Sequence, residues 1–199
     1  MAKRFGGGGA VLWALCFQFF ACEQVARLGW TTPYSFLHNF ISDLGAATCA
    51  DRPPGSGHYV CSPWHPVMNI SFFVQGLLIS GGALLAGERF ARLGRGFLFA
   101  SGLGLCAVGL APEDVTPPVH FVGAAVHLTC GGLGMVFLGQ RAPRIIGLVA
   151  LTALVLLATK TVGPLGLGGM ERLAGYPLPL FLCATGVRLL AKRRDRIDS

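Results

Sequence analysis

The stretch PVMNISFFVQGLLISGGALLAG, residues 66–87, contains no charged side chain and is long enough to cross a membrane as a helix. A helix needs about 20 mostly apolar residues to span the hydrocarbon core. Five further segments reach or approach this length with few charges. The pattern predicts an all-α, polytopic bundle of six transmembrane helices, with residues 1–199 forming a single integral membrane domain. The predicted spans lie near 8–28, 66–87, 96–113, 118–139, 144–163 and 174–191.

The composition of the whole chain also indicates a membrane protein. Hydrophobic residues make up 53% of the chain, charged residues make up 13%, and the mean hydropathy is +0.61. An average soluble domain contains about 25% charged residues. The net charge of +7 comes from short basic clusters beside the predicted spans. We therefore expect membrane lipids as partners and no nucleic acid, while the sequence names no protein partner.

Basic residues are concentrated in alternate connections between the spans. Such clusters mark the cytoplasmic side of a membrane protein. The pattern predicts a multi-pass cell-membrane protein with both termini in the cytoplasm and with the connections 29–65, 112–119 and 164–176 outside. The basic residues concerned are Lys3, Arg4, Arg89, Arg92, Arg95, Arg141, Arg144, Arg188, Lys192, Arg193, Arg194 and Arg196.

The first apolar segment has two interpretations. Lys3 and Arg4 precede an apolar run that ends near Cys22, a pattern also found in secretory signal peptides. The cleavage signal is poor because Phe19 and Phe20 stand where small residues are needed. We therefore expect a retained helix; cleavage would leave five spans and the same orientation downstream.

Cysteine positions predict one disulfide. Cys49 and Cys61 both fall in the predicted outside segment, where an oxidising compartment preserves disulfides. A bridge between them would close a short Pro/Gly-rich loop and stabilise it by about 3 kcal/mol in the chain-entropy model. The alternatives are two free thiols or a metal pair, although no other cysteine of an outside connection completes a thiolate site. The cysteines expected inside spans, as small apolar residues, are Cys16, Cys22, Cys106, Cys130 and Cys183.

Polar side chains collect at the predicted outside ends of the spans. Ionisable groups beside apolar spans are costly unless they face a protein interior, a cavity or the interface, so they mark candidate sites. Asn39, Ser42 and Asp43 would share one face of a helical turn, and His65 and Asn69 have the same spacing. The candidates in or directly beside the other two outside connections are Glu113, Asp114, His120, Glu171, Arg172 and Tyr176.

Two local patterns carry a resemblance to a known family. The first is HNFISDLG at 38–45, followed by Cys49, by VCSP at 60–63 and by His65, Met68, Asn69, Ser71 and Phe72. The second is GLAPED at 109–114, followed by His120, Gly123 and Ala124. Together they resemble the domain of unknown function 998 family of bacterial and archaeal membrane proteins. The resemblance covers residues 39–127 well and the last two spans loosely; it implies a compact multi-span bundle and brings no assigned reaction.

A divalent metal is one use for these histidines and acids, and the sequence identifies no particular cofactor. His120 and His127 lie about 10.5 Å apart along a helix. They cannot bind one zinc ion together, because its donor atoms must lie within about 4 Å of one another. A metal site would combine His65, one of the two histidines on the fourth span and an acid. His127 would otherwise lie deeper in the bundle and link helices by hydrogen bonds. The acids available are Asp43, Glu113 and Asp114.

The first functional hypothesis is that the protein is an enzyme, either a hydrolase or a transferase, that acts on lipids. Asp43 or Glu113 would be the base, and His65 or His120 the acid, base or ligand. A histidine beside a carboxylate suits this work because the pair can be tuned near neutral pH. The residues expected to bind the substrate are Asn39, Ser42, Asn69, Asp114, Glu171, Arg172 and Tyr176.

Two other hypotheses remain open at this stage. One is a binding or transport module for a lipid or small molecule, with Asn69, His127 and Lys160 as the polar groups that would reach into the bundle. The other is a structural membrane protein whose polar groups cap helices and tie loops down. In that case Asp43 and Asn39 would bind backbone groups, and Glu113 or Asp114 would pair with Arg172.

Overall fold

Helices form most of the computed structural model, which describes residues 7–195 apart from the side chain of Arg89. Predictions that rest on Lys3, Arg4 and Arg196 lie outside the described residues. The helices are α1 Gly7–Ala14, α2 Gln18–Leu28, α3 His65–Leu85, α4 Arg92–Leu110, α5 Pro117–Val136, α6 Arg141–Ala158, α7 Gly166–Gly175 and α8 Pro177–Asp195. A single 3₁₀ turn, Leu15–Phe17, joins α1 to α2.

Six helical segments of the described chain are long and apolar enough to cross a membrane, which confirms the predicted number. The pair α1 and α2 forms the first, and α7 with α8 forms the sixth. Helices α4 and α6 begin at Arg92 and Arg141, so each starts on an arginine a few residues earlier than hydropathy alone predicts. Long basic side chains allow this, because the stem lies along apolar surface while the charged end reaches water.

The connection 164–176 differs from its predicted form, because most of it is helix α7 rather than loop. Its buried residues include Met170 and Ala174 on one face of the helix and Arg172 on the opposite face, so the helix is packed on two sides. Helix α8 then begins at Pro177, which has no backbone N–H to continue the hydrogen-bond ladder of α7. The polar residues of this connection are therefore held on a packed helix.

Close helix contacts hold the bundle together. Helices α3, α4, α5 and α6 pack against one another in chain order, and α1 packs on α3 and α8. A Cβ on Gly102 of α4 would lie 2.5 Å from the carbonyl oxygen of Gly76 on α3, so only glycine allows this approach. Small residues at such crossings are typical of helix packing in membranes. The largest fully buried side chains of this interior include Trp13, Ile79 and Leu98.

A disulfide-closed hairpin forms the middle of the segment between α2 and α3. Strand β1, Ala50–Asp51, pairs antiparallel with β2, Tyr59–Val60. The Cys49–Cys61 disulfide lies directly beside the pair, as predicted. We call the end of the bundle that carries this hairpin the disulfide end.

Asp114, between α4 and α5, fastens the hairpin to the bundle. Its carboxylate accepts the N–H groups of Ala47 at 2.9 Å and of Thr48 at 2.8 Å. Arg52 of the hairpin donates to the same carboxylate at 2.9 Å. The prediction that Glu113 or Asp114 pairs with Arg172 is therefore wrong for Asp114, because its ion-pair partner is Arg52 of the hairpin.

Arg172 instead forms a buried ion pair with Glu23 of α2. Its Nη2 donates to Glu23 Oε1 at 3.0 Å, and neither side chain is more than 7% exposed. Tyr176 donates its hydroxyl proton to Glu23 Oε2 at 2.7 Å and accepts from Arg172 Nε at 3.0 Å. The guanidinium also binds the Tyr34 hydroxyl and the carbonyl oxygens of Phe36, Asn39 and Gly168. One arginine thereby joins α2, α7 and the segment that leads into the disulfide end.

The Glu23–Arg172 pair gives a direct test of this packing. In E23Q the arginine keeps its charge without a counter-ion, and breaking a buried pair costs about 3–5 kcal/mol. We expect E23Q to unfold at a clearly lower temperature than the wild type in detergent micelles. Q24A alters the exposed neighbour and should unfold with the wild type; equal unfolding temperatures for E23Q and Q24A would contradict the role assigned to the pair.

Candidate functional site

A partly open cavity of about 770 Å³ lies inside the bundle, and all six spanning segments contribute to its walls. This volume falls within the range of about 300–1,000 Å³ that is usual for small-molecule sites. Most of the wall is apolar. The apolar lining includes Phe19, Phe72, Ile79, Leu105, Val108, Phe121, Ala124, Leu128, Leu157 and Pro179.

Besides Asp51 of β1, three carboxylates line this cavity at the disulfide end. Asp43 lies in a 3₁₀ turn, Ser42–Gly45, Glu113 in the connection between α4 and α5, and Glu171 on α7. The backbone N–H of Ile41 donates to the Glu171 carboxylate, which ties the turn to α7. Three sequence-distant acids therefore meet at one cavity mouth. We call Asp43, Glu113 and Glu171 the acid cluster.

Asp43 is hydrogen-bonded to His58 of the hairpin loop. Its Oδ2 lies 3.0 Å from His58 Nε2 and also accepts the N–H of Phe40 at 2.8 Å. The Asp43 side chain is 3% exposed, whereas that of His58 is 28% exposed, so the histidine reaches solvent from the cavity mouth. The carboxylate orients the ring and leaves Nδ1 without a hydrogen-bond partner among the described residues.

Glu113 titrates in the neutral range. Burial, and then the nearby charge of Asp43, raises the pKa of Glu113 to about 7, against an opposing hydrogen bond from Ser42. Its neighbour Asp114 behaves differently. Burial raises the pKa of Asp114, but hydrogen bonds from Ala47 and Thr48 outweigh it and hold that pKa below the usual range. Glu113 can therefore act as an acid or a base near pH 7, while Asp114 stays ionised.

His120, near the start of α5, also contributes to the polar part of the cavity lining. The ring is almost fully buried, and its Nδ1 lies 2.8 Å from the carbonyl oxygen of Ala111. A carbonyl only accepts, so Nδ1 carries the proton and Nε2 is the acceptor of the neutral ring. The ring lines the cavity, so this acceptor belongs to the polar part of the wall.

Of the eleven residues predicted from sequence to be catalytic or to bind the substrate, the structure brings five to this cavity and places six elsewhere. Those at the cavity are Ser42, Asp43, Glu113, His120 and Glu171. Those outside its lining are Asn39, His65, Asn69, Asp114, Arg172 and Tyr176.

The residues outside the lining brace the surrounding structure. Asn39 accepts the N–H of Ser35 at 2.8 Å, and Asn69 donates to the carbonyl oxygen of Gly45 at 2.9 Å. His65 is the first residue of α3 and does not line the cavity. The histidine beside Asp43 is His58 rather than either of the predicted histidines, His65 and His120.

Sequence reasoning missed His58, Arg52 and Gln75 as cavity residues. His58 and Arg52 lie in an irregular loop, where spacing carries no information on direction. Their position inside the disulfide-closed loop was the available signal, because the bridge returns that loop to the bundle. Gln75 was the one amide between Asn69 and the end of a predicted span.

Within residues 7–195, no group of three or more His, Cys, Asp or Glu side chains is placed to hold a metal ion.

His127 links α5 to α4 by hydrogen bonds, as predicted. Its Nδ1 lies 3.2 Å from the carbonyl oxygen of Ser101 and 3.0 Å from the Ser101 hydroxyl.

Comparison with known proteins identifies the family. The family model described as "Protein of unknown function (DUF998)" matches residues 9–188, about nine-tenths of the chain. The chain belongs to the DUF998 family. This confirms the resemblance drawn from the HNFISDLG and GLAPED segments and extends it over the last two helices. Neither the curated proteins nor the solved structures include a match. The chemistry of this DUF998 protein must therefore be argued from its own residues.

The pKa of Glu113 predicts how stability changes with pH. The folded chain binds this proton more tightly than the unfolded chain, whose value is near 4.5. Glu113 therefore lowers stability as pH rises from about 4.5 to about 7, with an upper bound of about 3 kcal/mol. Gln cannot ionise, so we expect E113Q to become more stable than the wild type between pH 5 and pH 8, measured as unfolding temperature.

A matched control separates this effect from the general pH response of the chain. Asp195 is exposed at the end of α8 and does not line the cavity. D195N should follow the wild type across the same pH range. If E113Q also followed the wild type, the buried and charge-coupled environment assigned to Glu113 would be wrong.

Proposed function

We propose that this DUF998 protein is a membrane enzyme that cleaves an acyl bond in the head region of a lipid by general acid–base catalysis. One observation carries the proposal: a largely apolar cavity ends at Asp43, His58 and Glu113. Such a cavity suits an amphiphile whose chain lies among the helices and whose head meets the acids and the histidine.

The polar groups support a hydrolytic step. His58 Nδ1 would take a proton from water while the water oxygen bonds to the acyl carbon. Asp43 would stabilise the resulting imidazolium through its 3.0 Å contact with Nε2. Protonated Glu113 would give its proton to the leaving oxygen or nitrogen as that bond breaks. His58 would then return the proton to Glu113 through water, which restores both groups; a second lipid hydroxyl in place of water would make the reaction a transfer.

The charge of the cavity mouth favours particular substrates. The acid cluster supplies three carboxylates, while Arg52 is already paired with Asp114. A phosphate head would add negative charge beside these acids, where Arg52 is already paired and water is scarce. A neutral or amine-bearing head, such as a glycerol or amino-alcohol ester or amide, fits this mouth better.

The expected side of the membrane agrees with such a substrate. The basic clusters predict that the disulfide end lies outside the cytoplasm, where the Cys49–Cys61 bridge would persist. The enzyme would then act on lipids of the outer leaflet.

Lipid turnover tests the proposal. Purified protein in vesicles of total membrane lipid would be incubated at pH 7, and the lipids compared by mass spectrometry before and after. We expect the wild type to release fatty acid from, or move acyl groups between, lipids with neutral or amine-bearing heads. H58Q and E113Q should lower the rate by about a hundredfold or more, since each removes an acid–base group.

His38 provides the matched control for His58. It is exposed, bonds to the Ser35 hydroxyl at 2.9 Å and does not line the cavity, so H38Q should keep the wild-type rate. An unchanged lipid profile with the wild type would overturn the proposal. Equal rates in H58Q, E113Q and H38Q would also overturn it.

A further inference from the structure

Two polar side chains, Gln75 and His127, line the cavity well below the acid cluster. Each lies ten residues after the first residue of its helix, α3 or α5, which is about 15 Å along the helix. Both helices start at the disulfide end and both pack on α4. The two side chains therefore lie at similar depth, among the apolar residues of the cavity wall.

The hydrogen-bond network fixes the orientation of Gln75. The carbonyl oxygen of Ser71 only accepts, so the Gln18 amide must present its Nε2 there, at 3.2 Å. The same Nε2 donates to Gln75 Oε1 at 3.0 Å. Because Oε1 faces Gln18, Gln75 Nε2 points away from Gln18, and it has no hydrogen-bond partner among the described residues. Its neighbour Cys16 offers only a sulfur, a weak acceptor.

The hydrogen bonds of His127 leave one of its ring nitrogens, Nε2, as an acceptor without a donor in the described part of the chain. The Ser101 hydroxyl donates to the His127 carbonyl oxygen at 2.9 Å, so its proton is already used. His127 Nδ1 must then be the donor to the carbonyl and hydroxyl oxygens of Ser101. In this tautomer Nε2 is an acceptor, and no described residue donates to it.

An unpaired donor and an unpaired acceptor in an apolar interior are both costly. Burying a polar group without a hydrogen bond costs about 1–3 kcal/mol by mutational measures. Gln75 is only 1% exposed, so solvent does not satisfy it. A ligand hydroxyl is the simplest group that accepts from an amide N–H and donates to an imidazole nitrogen.

We propose that the cavity selects lipids whose chain carries a hydroxyl group in its middle part, held between Gln75 and His127. The hydroxyl would lie about 10 Å below the head, the separation of His120 and His127 along α5. This inference rests on the proposed function, because it takes the acid cluster as the place of the lipid head. It adds a specificity determinant in the chain-binding part of the site, remote from the bond that is cleaved.

Competition binding tests the selection directly. Two glycerol monoesters of equal chain length would be compared, one of stearic acid and one of a mid-chain hydroxystearic acid. Each would displace a fluorescent monoacylglycerol from purified protein in detergent. We expect the wild type to bind the hydroxy ester about tenfold more tightly, the effect of about one net hydrogen bond. Q75M and H127F should lose this preference and still bind the plain ester.

Ser80 provides the control on the same helix as Gln75. It is buried, donates to the carbonyl oxygen of Phe99 at 3.0 Å and does not line the cavity, so S80A should keep the tenfold preference. Equal affinity of the wild type for both esters would overturn the hydroxyl site and leave the proposed function standing. If neither ester displaced the probe, the lipid cavity itself would be contradicted. A preference retained in both Q75M and H127F would show that these residues do not hold the hydroxyl.

Discussion

Arg172 and Glu23 form an ion pair inside an apolar bundle, and the geometry of the cavity mouth depends on it. The charges must stay together, because separating them in a medium of low dielectric constant is costly. Arg172 also binds the carbonyl oxygens of Phe36 and Asn39, and the preceding residue of α7, Glu171, accepts the N–H of Ile41. Helix α7 therefore fixes the backbone on both sides of Asn39 and, through it, the turn that carries Asp43.

The polar groups of the disulfide end form two sets, which differ in their hydrogen-bond and ion-pair partners. Asn39, Asn69, Asp114 and Arg172 bind backbone groups or permanent counter-ions, and they hold the loops in place. The acid cluster and His58 instead face a cavity. Glu113 has no permanent cation of its own, and its pKa lies near 7. Structural and chemical roles are thus carried by different residues, and sometimes by neighbours such as Asp114 and Glu113.

Hydropathy and charge predicted the six spanning segments, because the thickness of a bilayer imposes a minimum apolar length. The disulfide followed from the placement of two cysteines in one predicted outside segment. Four acid and histidine positions of the cavity were also predicted, since ionisable groups beside spans are seldom without a partner or a function. His58 and the Glu23–Arg172 pairing were not, because contacts between distant segments depend on loop paths that periodicity does not encode. The same limit explains why α7 was taken for a loop and why His65 was placed in the site.

The central claim is that the cavity holds a lipid with its head at Asp43, His58 and Glu113. An electron cryo-microscopy map of the protein in a nanodisc of its native membrane lipids tests this most directly. The account predicts chain-like density between α3 and α5, ending in a head group that contacts Asp43 or Glu113. Lipid density confined to the outer surface of the helices, with side chains closing the cavity, would contradict it.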